Sequence, residues 1–73
     1  MGFNINIDIG GTFTDFFAGH DDRGTRITKT PTTHYDLSVG FMRGIRDLAG
    51  AYDLSFQNFL GQTDQVRYCT TLG

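Results

Sequence analysis

Asp8, Gly10, Gly11, Thr12, Thr14 and Asp15 are the residues best suited to chemistry, and they fall in one short run, Ile7-Asp8-Ile9-Gly10-Gly11-Thr12-Phe13-Thr14-Asp15. Glycine lets an anion approach main-chain N–H groups without meeting a Cβ, and the two threonines add hydroxyl donors beside those amides. The run therefore reads as a phosphate-binding turn, with Gly10, Gly11, Thr12, Phe13 and Thr14 around the anion. A plain β-hairpin closed by Gly-Gly would use the same residues with no ligand, so the residues alone leave both readings open. Two other glycine motifs are excluded. A dinucleotide-binding turn needs G-x-G-x-x-G opening a helix, whereas Phe13-Thr14-Asp15-Phe16-Phe17 is rich in strand formers. A Walker A loop needs a lysine after its last glycine, and the single lysine, Lys29, is far away in sequence.

Other chemically capable residues have plainer readings. His20, Asp21 and Asp22 are consecutive in a turn, where three neighbouring side chains do not converge easily on one ion, and His34 sits in a separate loop. A solvated turn is the expectation. Cys69 lies in a strand pattern with no identifiable histidine partner and is expected to be a small buried residue rather than a nucleophile. Arg43 and Arg46 are expected on the solvated side of a helix.

The elements that must position the glycine turn can be read from periodicity. Phe3, Ile5, Ile7 and Ile9 alternate with Asn4, Asn6 and Asp8, so one face of a first strand is apolar and Asp8 points the other way. A second strand is expected from about Thr14 to Gly19, a polar turn at His20 to Gly24, and a third strand from Thr25 to Thr30 ended by Pro31. Asp36 is a good N-cap for a helix over about 36–52, whose apolar positions Leu37, Phe41, Ile45 and Leu48 fall at helical spacing. Gly40 and Gly44 each cost about 1 kcal/mol against alanine in a helix interior, which close packing on the sheet would explain. Ser55 is expected to cap a short second helix stopped by Gly61, and a returning strand is expected over about 65–71. The fold class is α/β: an antiparallel meander, then helix, then a returning strand, with the phosphate-binding hairpin over 4–19.

Composition narrows the function classes. The chain has 73 residues and a formal net charge of -2, and every acidic residue is aspartate. The scattered cations form no basic patch for nucleic acid. No apolar run is long enough for a membrane span. One cysteine permits no internal disulfide, in agreement with a cytoplasmic setting. A chain this short buries only about 60% of its unfolded surface. So small a core is expected to leave the chain poorly folded and inactive alone, with some of its phenylalanines facing a partner or further protein.

Ile7 to Asp15 resembles the first phosphate loop of the sugar kinase, actin and heat-shock ATPase superfamily, whose domains are ribonuclease H-like. The run Asp8-Ile9-Gly10-Gly11-Thr12-Phe13-Thr14-Asp15 more narrowly resembles the N-terminal segment of the hydantoinase A and 5-oxoprolinase family, which includes acetone and acetophenone carboxylase subunits. Lys29-Thr30-Pro31-Thr32-Thr33 resembles that family's step after the third strand, and Val66-Arg67-Tyr68-Cys69-Thr70-Thr71-Leu72-Gly73 resembles a later segment of it, with Cys69 where the pattern usually has glycine.

The resemblance implies a partial N-terminal subdomain covering 1–73, and with it ATP and Mg²⁺, or Mn²⁺ in its place. Asp8 would hold the metal through water or orient the nucleophile, as the catalytic residue of this segment. Asp15 would brace the turn by accepting backbone hydrogen bonds, and Thr70 and Thr71 would approach the same cleft. The activity implied first is that of an acetophenone-type ketone carboxylase subunit, which uses ATP and bicarbonate through phosphorylated intermediates in a hetero-oligomer. A hydantoinase or 5-oxoprolinase hydrolysing a cyclic amide is the alternative, and a non-catalytic piece completing a partner subunit is a third.

Overall fold

The structure, a computed structural model, describes residues 2–70. Strands β1 (Phe3–Ile9), β2 (Phe13–Gly19) and β3 (Arg26–Pro31) form the expected meander, helices α1 (Leu37–Ala51) and α2 (Phe56–Gly61) follow, and β4 (Thr63–Thr70) returns. The sheet order is β3-β2-β1-β4, with β4 parallel to β1 and the other pairs antiparallel. The architecture is thus a small α/β unit with a mixed four-stranded sheet.

The alternation in β1 decides which face the helices cover. Phe3, Ile5, Ile7 and Ile9 are buried together with Phe16 and Ala18 of β2, and Ile45, Leu48 and Ala49 of α1 and its cap residue Tyr52 close over them with Phe59 of α2. Burying each large apolar side chain contributes about 1.5–3 kcal/mol, so this single face dominates the packing. Phe3 is the aromatic hub, its ring centroid 4.6 Å from that of Tyr52 and 4.7 Å from that of Phe59. Tilted contacts of this kind suit the ring quadrupoles.

Both helices begin where capping chemistry places them. The Asp36 carboxylate accepts from the Ser38 N–H at 3.0 Å and the Ser38 hydroxyl at 2.6 Å, which holds its pKa below the ordinary carboxylate value. Ser55 Oγ accepts from the Asn58 N–H at 3.1 Å. Gly61 is the last residue of α2 rather than its stop, because Gln62 serves as the cap and donates to the Asn58 and Phe59 carbonyls. Leu37, expected in the apolar stripe, is 40% exposed because the buried stripe at this end of α1 runs through Gly40 and Gly44. Cys69 is exposed, correcting the expectation that it is buried. It lies on β4, an edge strand whose residues past Thr63 are all exposed.

Gly44 shows why α1 tolerates glycine. A Cβ there would overlap the Phe16 ring, so the helix backbone rests directly on the sheet. Gly44→Ala is expected to destabilise the intact protein by about 1–3 kcal/mol despite alanine's better helix propensity, measurable as a lowered urea midpoint.

Tyr52 fastens the other end of α1. Its hydroxyl lies 2.8 Å from the Gly24 carbonyl and 3.2 Å from that of Ala18, so one proton is shared between two acceptors. Burial raises its pKa above the ordinary 10.0, with Arg26 opposing the shift. A raised folded-state pKa gives a contribution complete below the unfolded value and lost as pH rises through the folded one. The stability gap between wild type and Tyr52→Phe should therefore be constant from about pH 7 to 9 and shrink above about pH 10, as read from paired urea titrations.

Candidate functional site

The β1–β2 turn lies where two parallel strands end together. Ile9 of β1 is level with Thr70 of β4, so the carboxyl ends of both strands flank Gly10 and Gly11. Crevices at such strand ends are the usual ligand positions in α/β sheets. Gly10 closes the hairpin by donating its N–H to the Phe13 carbonyl at 3.0 Å. Among the described residues, the N–H groups of Gly11 and Thr12 donate to nothing in the turn.

The glycines here do not serve the backbone in the way a simple hairpin requires. A type I′ turn would put its central residues at positive φ, yet Gly24 is the only glycine among the described residues with positive φ. A Cβ at Gly11 would also meet nothing within 4 Å. Among the described residues neither backbone conformation nor crowding calls for glycine at position 11, whereas close approach of an outside body would.

The loop between β3 and α1 grips the back of the turn. Thr32 Oγ1 donates to the Gly10 carbonyl at 2.8 Å, His34 Nε2 lies 2.7 Å from the Gly11 carbonyl oxygen, and the Thr32 N–H donates to the Thr12 carbonyl at 2.8 Å. Because Thr32 spends its one hydroxyl proton on Gly10, it must accept in its 3.0 Å contact with Thr14 Oγ1. The Thr14 hydroxyl is committed inward, since Thr14 occupies the buried face of β2 with Phe16 and Ala18. Sequence reasoning offered Thr14 as a phosphate contact; here its hydroxyl supports Thr32.

Asp8 occupies the uncovered face of the sheet. Strand register aligns Cys69, Asp8, Asp15 and Lys29 in one row across β4, β1, β2 and β3. Lys29 Nζ lies 3.7 Å from the Asp15 carboxylate and 5.5 Å from the Phe13 ring centroid. Asp15 thus pairs with Lys29, and among the described residues its carboxylate accepts no backbone hydrogen bond from the turn, because its β2 position puts it opposite Lys29 on the open face. The Asp8 side chain has no ion pair or side-chain hydrogen bond among the described residues. Thr70 shares the strand end with Asp8 but, being level with Ile9, takes the opposite face. Thr71 lies outside the described residues.

Sequence reasoning missed Thr32, His34 and Lys29 as neighbours of the turn. Thr32 and Lys29 stood inside a recognised motif without a role, and nothing in the sequence tied His34 to a residue 23 positions away. A hollow of about 420 Å³ lies elsewhere, along the outer face of α1 between Val39, Met42, Arg43 and Arg46. None of its lining residues belongs to the glycine motif.

Residues 4–73 match the sequence model of the hydantoinase/oxoprolinase N-terminal region. The acetophenone carboxylase gamma subunit of Aromatoleum aromaticum is 42% identical over 69 residues, covering 94% of this chain and 9% of that protein. A nucleotide-free acetone carboxylase, solved in work on the mechanism of ATP-dependent acetone carboxylation, superposes with a TM-score of 0.85 at 25% identity, covering 96% of this chain and 10% of that one. The chain spans about a tenth of the length of these relatives.

If glycine at position 11 serves only an approaching ligand, Gly11→Ala should leave the stability of the ligand-free protein unchanged or raise it by up to about 1 kcal/mol, through a less flexible unfolded chain. Thermal denaturation without nucleotide checks this, and a lowered midpoint would mean the fold itself needs the glycine.

Proposed function

Because the chain belongs to the hydantoinase/oxoprolinase family, within its N-terminal region, we propose that the β1–β2 turn binds the β- and γ-phosphates of ATP in a ketone carboxylase subunit of the acetophenone type. The observation that carries this reading is the Gly11-Thr12 tip, whose N–H groups are open among the described residues while all three carbonyls from Gly10 to Thr12 are engaged from behind. Such amides stabilise charge on a transferred phosphoryl group without reorganising during the reaction. Identity of 42% to an acetophenone carboxylase gamma subunit favours the carboxylase, and the ATP-dependence of the structurally similar acetone carboxylase favours the nucleotide. The unit is read as the first part of a ribonuclease H-like domain of the actin and sugar kinase type.

The residues present fit a metal-nucleotide. Asp8 and Asp15 are opposite each other on adjacent strands, and one lysine neighbours the pair. Two carboxylates beside a phosphate would repel it, so a bridging cation belongs between them and the anion. Asp8, which has no competing side-chain partner among the described residues, would hold Mg²⁺ or Mn²⁺ through water, and Lys29 offsets the charge of Asp15. When bound, the metal neutralises phosphate charge. Thr12 sits at the tip with its side chain free to reach a phosphate or metal-bound water. Thr70 borders the same strand end.

ATP would activate bicarbonate and the ketone enol for carbon–carbon bond formation, in a cytoplasmic hetero-oligomer with other carboxylase subunits. Membership of the hydantoinase/oxoprolinase family favours a second reading, ATP-dependent hydrolysis of a cyclic amide by a hydantoinase or oxoprolinase. A purely structural piece completing a partner subunit would retain the fold without needing Asp8.

The native assembly should fix labelled bicarbonate into acid-stable product with an aromatic or aliphatic ketone, and consume no ATP with a hydantoin or 5-oxoproline. Asp8→Asn should lower turnover by about 10²-fold or more with an unchanged melting temperature. Full turnover by that variant would leave only the structural reading.

A further inference from the structure

We infer that Thr32 and His34 are positioning residues which aim the N–H groups of Gly11, Thr12 and Phe13 at the nucleotide by holding the carbonyls on the other side of the same peptide planes. The inference rests on the phosphate-binding reading of the turn and assigns the loop after β3 a part in it.

A trans peptide is planar, with the C=O of one residue and the N–H of the next pointing in opposite directions. Fixing the carbonyls of Gly10, Gly11 and Thr12 therefore fixes the N–H directions of Gly11, Thr12 and Phe13. All three carbonyls are held by one short segment: Gly10 by Thr32 Oγ1 at 2.8 Å, Gly11 by His34 Nε2 at 2.7 Å, and Thr12 by the Thr32 N–H at 2.8 Å. A turn with two glycines has the freedom to flip these planes and so to turn its donors away from an anion. The clamp removes that freedom, and each hydrogen bond at a carbonyl polarises the N–H on the far side of the plane.

The clamp is itself anchored to the core. Thr33 Oγ1 donates to the Asp36 carbonyl at 2.6 Å and accepts from the Gly40 N–H at 3.0 Å, tying the segment to the first turn of α1. Thr14, from the buried face of β2, donates to Thr32 Oγ1. The Gly11 carbonyl can only accept, so His34 Nε2 carries hydrogen. The contact therefore acts as a brace on the Gly11 peptide plane. His34 is exposed, and replacing it removes no core packing.

The test uses the intact assembly, with MgATP and AMP affinities measured by calorimetry and melting temperature measured without nucleotide. His34→Ala and Thr32→Val should each weaken MgATP binding about fivefold to tenfold and leave AMP binding unchanged, since AMP lacks the phosphates at the turn. His34→Gln, whose amide can donate to the Gly11 carbonyl, should return MgATP affinity to within about twofold of wild type. The melting temperature of His34→Ala should match wild type. Normal MgATP affinity in both His34→Ala and Thr32→Val would overturn the clamp. If Gly11→Ala then still loses MgATP, the phosphate reading survives that failure; if Gly11→Ala also binds normally, both fall. Equal loss of MgATP and AMP, or no rescue by His34→Gln, would likewise overturn it.

Discussion

The burial of one face of β1 is the constraint on which the rest of the structure depends. Phe3, Ile5, Ile7 and Ile9 are each no more than 3% exposed, and β1 is hydrogen-bonded on both sides, to β2 and β4. A slip of one residue would drive Asn4, Asn6 and Asp8 into the core and expose the isoleucines. The hydrophobic pattern therefore locks the register that sets Asp8 on the open face, two residues before Gly10. Position of the acidic group relative to the turn is a by-product of core packing.

The helical layer supplies the second half of the site from a distance. Contact of the α1 backbone at Gly44 with the Phe16 ring draws the helix onto the sheet, and Gly40 permits the Thr33 hydroxyl to lie against the helix at its first turn. That approach brings the segment from Thr32 to His34 behind the glycine turn, where it engages the carbonyls. The same two glycines that weaken the helix locally thus contribute to the geometry of the loop before it. Tyr52 and the Asp36 cap hold the two ends of the helix in place.

The uncovered face has a mixed character that matches neither a solvated sheet nor a closed core. Phe17 and Ile27 are cross-strand neighbours at 39% and 66% exposure, while Asp8, Asp15 and Lys29 form a charged row closer to the turn. Val66 and Tyr68 of β4 are also exposed, on the side of the sheet shared with the helices. Three of the seven phenylalanines, Phe3, Phe16 and Phe59, are fully buried, so the aromatic content divides between a compact core and surfaces with no cover among the described residues.

The sequence by itself determined the elements and their faces. Strand alternation, the Asp36 and Ser55 caps and the helical spacing of Ile45 and Leu48 are local signals, each set by interactions within a few residues or by the choice of apolar face. The glycine turn and the outward Asp8 were legible for the same reason, and so was family membership, because the motif is contiguous. Tertiary structure alone decided what lies next to what. His34 reaches Gly11 across 23 residues, Lys29 meets Asp15 through the β2–β3 register, and Cys69 is exposed because β4 forms an edge. The Thr14 hydroxyl looked available in a linear reading, but its single proton goes to Thr32 once the β3–α1 loop folds back. Hydrogen bonding is a pairwise condition on atoms remote in sequence, and local periodicity carries no information about which remote partner arrives.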